Sequence, residues 1–196
     1  MSYSVDNAIE KAKFLKKERR NTLPDWTTPK TWQTGEAVTA SDMNAQVRDN
    51  VDHLHTRMEN YDQYTGDETS DYTTTSTSFV DVDSTNLAVT ITTTKDNALV
   101  LVHFHGAVSE GATARFCFDV AVDGTRVGGD NGITGCKPST AGYEIPVSFT
   151  RLIVVPTAGE HTFRLQWVVE GNTVTLYAGT GAAHVDYEPQ FWAKEL

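Results

Sequence analysis

Cysteine is nearly absent from this chain of 196 residues, which contains only Cys117 and Cys136. Two cysteines at that separation form neither a metal-type pair nor a disulfide framework, so a stapled miniature scaffold and a structural zinc site are both excluded. One bridge or two free thiols remain open, and free thiols suit synthesis in a reducing cytoplasm. Long apolar runs are missing as well. No stretch approaches the roughly 18 residues that a membrane span needs, and the opening MSYSVDNAIEKAK lacks the apolar core of a signal peptide, so no membrane insertion is expected.

Positive charge is scarce: 16 Lys and Arg against 26 Asp and Glu leave a formal net charge of -10. The deficit lies almost wholly after residue 62, since residues 1–62 carry 9 basic against 10 acidic side chains and residues 63–196 carry 7 against 16. An acidic domain repels phosphate backbones, which removes nucleic acid as its partner. The exception is the run Lys11, Lys13, Lys16, Lys17, Arg19 and Arg20, which either solvates a helix face or meets a polyanion.

Catalytic signatures are equally sparse. There is no phosphate-binding loop or dinucleotide fingerprint, and Arg126-Val127-Gly128-Gly129 lies between strands. Cys117 has no nucleophile elbow around it. Pairs drawn from Asp81, Asp83, Asp119 and Asp123 arise by chance on a surface this acidic. His103 and His105 sit two apart and point to one side of a strand; His184 and Asp186 repeat that spacing and would complete a metal set only if the two strands were neighbours. In a trimer the same histidines, near the axis, would be placed to bind an ion between subunits. The expectation is no enzyme and no cofactor.

What is present is organisation. Val5, Ala8, Ile9, Ala12 and Leu15 recur at helical spacing over residues 4–20. This thin stripe predicts a helix that persists only when docked on something else. Residues 21–35 hold two prolines with Trp26 and Trp32, and they read as an extended connector. Each indole carries apolar surface on the order of 200 Å²; the pair either packs on the chain's own helix or anchors in a neighbouring subunit. Thr39 and Asp42 then form a capping box that starts a helix running to about Tyr61. Along it Ala40, Met43, Val47, Val51, Leu54, Met58 and Tyr61 form a heptad seam interrupted by one extra four-residue step. So narrow a stripe suits two or three copies of itself, and its mixed Val and Met do not specify the number.

From Tyr72 onward the period becomes two. Strands are expected at 77–82, 87–93, 98–108, 114–122, 145–155, 161–169, 173–178 and 184–193, separated by glycine turns. Eight short strands without helical pattern between them predict a two-sheet sandwich, most economically a jelly roll. Leu87, Val89 and Ile91, then Phe116, Phe118, Val120 and Val122, then Phe163, Leu165, Trp167 and Val169 should face inward. The strand 98–108 is apolar on both faces, with Val100, Val102 and Phe104 on one and Leu99, Leu101, His103 and His105 on the other. A strand of that kind is covered on both faces, and the second cover is expected from another subunit. The fold class is therefore mainly β, a C-terminal jelly-roll sandwich over 72–196, preceded by a capped, coiled-coil-like helical stalk over 31–62 and an N-terminal segment over 1–30.

The segment TWQTGEAVTASDMNAQVRDNVDHL resembles a recurrent motif near the N-terminus of tailed-bacteriophage virion proteins such as tail fibres, head fibres and minor structural proteins. TSTSFVDVDSTNLAVTITT, AGEHTFRLQWVVEGNTVTLYAG and PQFWAKEL are similar to the trimeric jelly-roll heads of such proteins, which look like distant relatives of the C1q and tumour-necrosis-factor sandwiches. The resemblance spans 31–61 and 72–196. It implies a homotrimeric, non-enzymatic virion projection assembled in the host cytoplasm: a short fibre or spike on the capsid, neck or tail. Met43, Val47, Val51, Leu54, Met58 and Tyr61 would join the copies, and Val5, Ile9, Leu15, Trp26 and Trp32 would dock on other virion proteins. Trp32, Gly35, Thr39, Asn44, Arg48 and Asp49 match the motif; Arg48 and Asp49 are expected to pair between helices or with the connector, or merely to solvate the helix. An alternative is a host-receptor head, in which Tyr143, Tyr177 or Trp192 stacks on a surface glycan.

Overall fold

The computed structural model describes residues 26–65, 70–178, 180–181, 184–185 and 188–196. Val5, Ile9, Leu15 and the basic run lie outside them. The chain divides after Asn60 into two compact units.

In the first unit the capping box forms as its residues dictate. Thr39 Oγ1 accepts from the Asp42 amide at 3.1 Å, and the Asp42 carboxylate accepts from the Thr39 amide at 3.2 Å. These bonds satisfy amides that the first turn leaves without partners. Helix α1 spans Ala40–Met43, a π-helical turn follows over Asn44–Arg48, and α2 spans Asp49–Glu59. The π turn sits where the seam takes two four-residue steps in succession. At about 100° per residue, the eight residues from Met43 to Val51 overshoot two full turns by about 80°. A π turn advances fewer degrees per residue and takes up part of that overshoot. Tyr61, counted with the helical seam, instead begins a strand, because the helix stops at Glu59.

The second unit is mainly β and antiparallel throughout its pairings. The first sheet contains β1 (Tyr61–Thr65), β2 (Tyr72–Thr74), β5 (Ala98–Glu110), β9 (Glu144–Val155), β11 (Val174–Leu176) and β14 (Gln190–Glu195). Long β5 organises it: β9 pairs along one edge, while β14 and then β11 share the other. The second sheet contains β3 (Val80–Asp81), β4 (Ala88–Thr93), β6 (Phe116–Val122), β7 (Thr125–Arg126), β8 (Thr134–Cys136) and β10 (Gly159–Val169). Here β10 takes β4 and β3 on one edge and β6 on the other, and β6 takes β8 and β7. A small ladder joins β12 (Thr180–Gly181) to β13 (His184–Val185).

The two sheets pack face to face on the residues that alternation sends inward. Phe104 of β5 meets Phe118 of β6 with ring centroids 5.0 Å apart, and Phe118 in turn lies beside Trp167 of β10. Leu87, Val89, Ile91, Val100, Val102, Phe116, Val120, Phe163, Leu165 and Val169 complete a continuous core. Phe118 and Trp167 face each other directly across the β6–β10 ladder, the kind of aromatic cross-strand pair that specifies register. The expected strand over 184–193 is two pieces, β13 and β14, and only β14 joins a main sheet.

Candidate assembly interface

The connector lies along the helix as an extended strap. The Asn50 side chain accepts from the Thr27 amide at 2.8 Å and donates back to the Thr27 carbonyl at 2.9 Å. One turn earlier, the Gln46 side chain accepts from the Lys30 amide at 2.6 Å and donates to the Thr28 carbonyl. Asp42 takes the Lys30 ammonium, which also pairs with Glu36 and lies over the Trp32 ring; at the other end Trp26 meets the His53 ring. The Thr39 hydroxyl and amide hold the Asp42 carboxyl below its ordinary range. Asp42, Gln46, Asn50 and His53 thus form one stripe of the helix, and the strap runs antiparallel along it. Gly35, at φ +83, turns the chain from strap to helix; a residue with a Cβ adopts that region at a cost.

This reverses the polarity of an ordinary surface helix. The stripe facing its own chain is polar, with Asn50 buried, while the apolar seam faces outward: Met43 is 48%, Val47 49%, Val51 57%, Leu54 50% and Met58 74% exposed. A soluble helix normally turns its apolar stripe inward. Both strap tryptophans also remain substantially exposed. Arg48 bonds its chain neighbour Asp49 at 2.8 Å, a local pair on the helix. The motif residues Asn44, Arg48 and Asp49 therefore do not hold the strap. Gln46 and Asn50 do, and their signal was the i, i+4 spacing of two amides facing a proline-containing connector.

In the second unit, the first sheet presents an apolar patch on its outer face. Leu99 lies opposite Val154 and Leu101 opposite Leu152 on the β5–β9 ladder; Leu152 is 47% and Val154 58% exposed. The next rank holds His103, paired with Thr150 and Trp192. Its ring stacks on Trp192 at 5.2 Å and its Nδ1 lies 2.9 Å from the Thr150 hydroxyl. Burial, followed by neighbouring His105, pushes the His103 imidazole below the ordinary histidine range. The outer face of the second sheet is treated differently. Along β6, Cys117, Asp119 and Ala121 are buried, with the segment 127–135 close against Cys117 and Asp119, while Thr162, Arg164 and Gln166 of β10 stay half-exposed. That segment approaches so closely that a Cβ on Gly128 would stand 2.6 Å from Asp119 and one on Gly135 2.7 Å from the Cys117 sulfur. Asp119 accepts from Arg126 Nε at 2.7 Å and from the Val120 and Gly128 amides, while Arg126 lies over the Phe79 ring.

The remaining chemical candidates separate. His184 lies in β13, whose partner is β12 and not β5, so the expected neighbourhood with His103 and His105 does not form; Asp186 lies outside the described residues. Among the described residues no three His, Cys, Asp or Glu converge on a metal site, and no helix is long and apolar enough to cross a membrane. The four acids are each committed to partners: Asp81 accepts from Gln166, Asp83 from the Thr85 and Asn86 amides, Asp119 from Arg126, and Asp123 bonds His161 and the Thr162 amide. Cys117 and Cys136 are free, and burial raises the Cys117 thiol above its ordinary range. Of the three aromatics considered for stacking on a glycan, Tyr177 is buried with its hydroxyl on Ser109, Trp192 is stacked on His103, and Tyr143 is largely exposed.

No family model matches the chain, and no curated protein does. Solved structures with partial likeness include dimeric latent PorU from Porphyromonas gingivalis, with 13% identity over 70% of this chain and 13% of that one, TM-score 0.30. An exo-β-1,3-galactanase from Phanerochaete chrysosporium follows, with 13% identity over 59% of this chain and 28% of that one, TM-score 0.27. The infectious bursal disease virus Gt strain structure gives 11% identity over 68% and 35%, TM-score 0.26. This chain spans roughly an eighth to a third of the structures it resembles, and overlap this slight says nothing about what the chain binds or does.

Proposed function

We propose that the chain is a bacteriophage virion structural protein that assembles as a homotrimer into a short spike on the capsid, neck or tail. Its N-terminal residues would dock on other virion proteins and its sandwich would face outward. The observation that carries this reading is the exposed apolar patch of Leu99, Leu152 and Val154, with half-buried Leu101 beside them, on the outer face of the first sheet. An apolar patch left open on a sheet face marks a contact made between molecules. The strand order supports a jelly roll: successive strands cross from one sheet to the other, with β1, β14, β5 and β9 in one and β4, β10 and β6 in the other. The resemblance of residues 31–54 to virion-protein segments supplies the phage assignment. The absence of shaft-type repeats within residues 31–196 favours a spike over a long-reach adhesin. Host-glycan binding is the secondary reading, and it retains Tyr143 as its exposed aromatic.

The test is to raise antibodies to the sandwich and label purified virions, while cross-linking the purified chain at micromolar concentration. Gold at a fixed virion position and a three-copy band are expected. Unlabelled virions from a strain that expresses the chain would end the reading.

A further inference from the structure

Resting on that multi-copy reading, we propose that the strap is both a splint and part of the contact between copies: by occupying the polar stripe of the helix, residues 26–33 commit the seam and the two strap tryptophans to a second copy of this chain. The strap is held at regular intervals, Trp26 at His53, Thr27 at Asn50, Thr28 and Lys30 at Gln46, and Lys30 at Asp42. The lengths agree, since the four steps from Trp26 to Lys30 cover about 13 Å when extended and the eleven steps from Asp42 to His53 about 16 Å in a helix, with the Lys30 side chain closing the difference. The stripe one residue further on, Met43, Val47, Val51 and Leu54, lies about 100° around the helix and has no cover among the described residues.

A second copy is the occupant that the pattern favours. Knobs-into-holes packing requires partners of equal local pitch, and the π turn over Asn44–Arg48 gives this seam an interruption that another copy matches residue for residue. The area also decides what assembly needs. Side chains of seam size carry roughly 60–120 Å² each, so five at about half exposure leave on the order of 250 Å². Trp26 at 46% and Trp32 at 39% exposure add on the order of 170 Å². The sum, about 400 Å², is half of the roughly 800 Å² per partner in a stable interface. The tryptophans are thus a large share of a modest contact, and the apolar sheet face on the same chain adds to it through linkage.

The test uses the full chain in a micromolar dilution series followed by sedimentation velocity, with helix content and thermal unfolding checked by circular dichroism. Leu54→Asp should release single chains. Trp26→Ala with Trp32→Ala should weaken assembly without changing the sandwich transition. Asn50→Ala, which removes two of the splint's hydrogen bonds and leaves the seam intact, should raise the dissociation constant roughly tenfold at unchanged helix content. Assembly of wild-type strength in any of the three variants overturns the corresponding part: the seam, the tryptophans or the splint. If Leu54→Asp still assembles through the sheet face, this inference fails while the virion reading stands. A wild-type chain that is single at every concentration sinks both.

Discussion

Replacing Leu152 and Val154 together by Asp tests the apolar sheet face directly. Both lie on the outer side of β9, at 47% and 58% exposure, so about half of each side chain is still in water. Complete burial of such side chains stabilises by about 1.5–3 kcal/mol, so association still gains about 1 kcal/mol from each, or about 2 kcal/mol per copy. The double variant forfeits that gain and must also desolvate carboxylates, at several kcal/mol per ion buried. A combined penalty of at least about 4 kcal/mol weakens each contact roughly a thousandfold or more. The fold itself should barely notice, since partly exposed side chains away from the core change stability by about 0.5 kcal/mol, with some added cost because Asp is a poor strand former. Sedimentation velocity beside thermal unfolding separates the two effects: single, folded chains are expected. A variant that assembles with wild-type affinity would show that this face meets water in the working particle, and the reasoning from exposed leucines would be wrong.

Arg126→Ala leaves the fully buried Asp119 carboxylate with only its backbone donors, and a shift of the denaturant midpoint worth about 2–3 kcal/mol is expected, at the low end for a buried pair because Arg126 is itself partly in water. Gly132→Ala should cost more than Gly124→Ala although both have positive φ, because a Cβ on Gly132 would stand 2.4 Å from the Phe118 carbonyl while Gly124 faces open space; the latter should lose only about 1 kcal/mol. Burial depresses the His103 imidazole, so the unfolded chain takes up more protons in mild acid. Stability should be complete above the ordinary histidine value of about 6.5 and fall as pH drops through it, and His103→Gln should flatten that decline in pH-dependent unfolding curves.

Local chemistry made some elements readable in advance and hid others. Thr39 and Asp42 announced the helix start because a capping box involves four adjacent residues and nothing distant. Alternation along 98–108 placed Val100, Val102 and Phe104 inward and Leu99, Leu101, His103 and His105 outward, because pleating sends neighbours to opposite faces whatever the rest of the chain does. Tyr61 was misread because its helical spacing from Met58 is indistinguishable from a strand start until its register opposite Lys194 of β14 is known. The short β7 and β8 were invisible, being two and three residues long and held by their long partner β6.

The order of residues by itself determined the period of each segment, the caps, the turns and the sign of charge in each part, all set within a few residues. Only the tertiary structure decided which polar groups face the chain itself. That Asn50 and Gln46 grip the connector, that the glycine-containing segment 127–135 lies close against β6, and that His184 does not join His103 all depend on contacts between residues apart in sequence. Such contacts form through the closing of long loops, and no local periodicity encodes their partners.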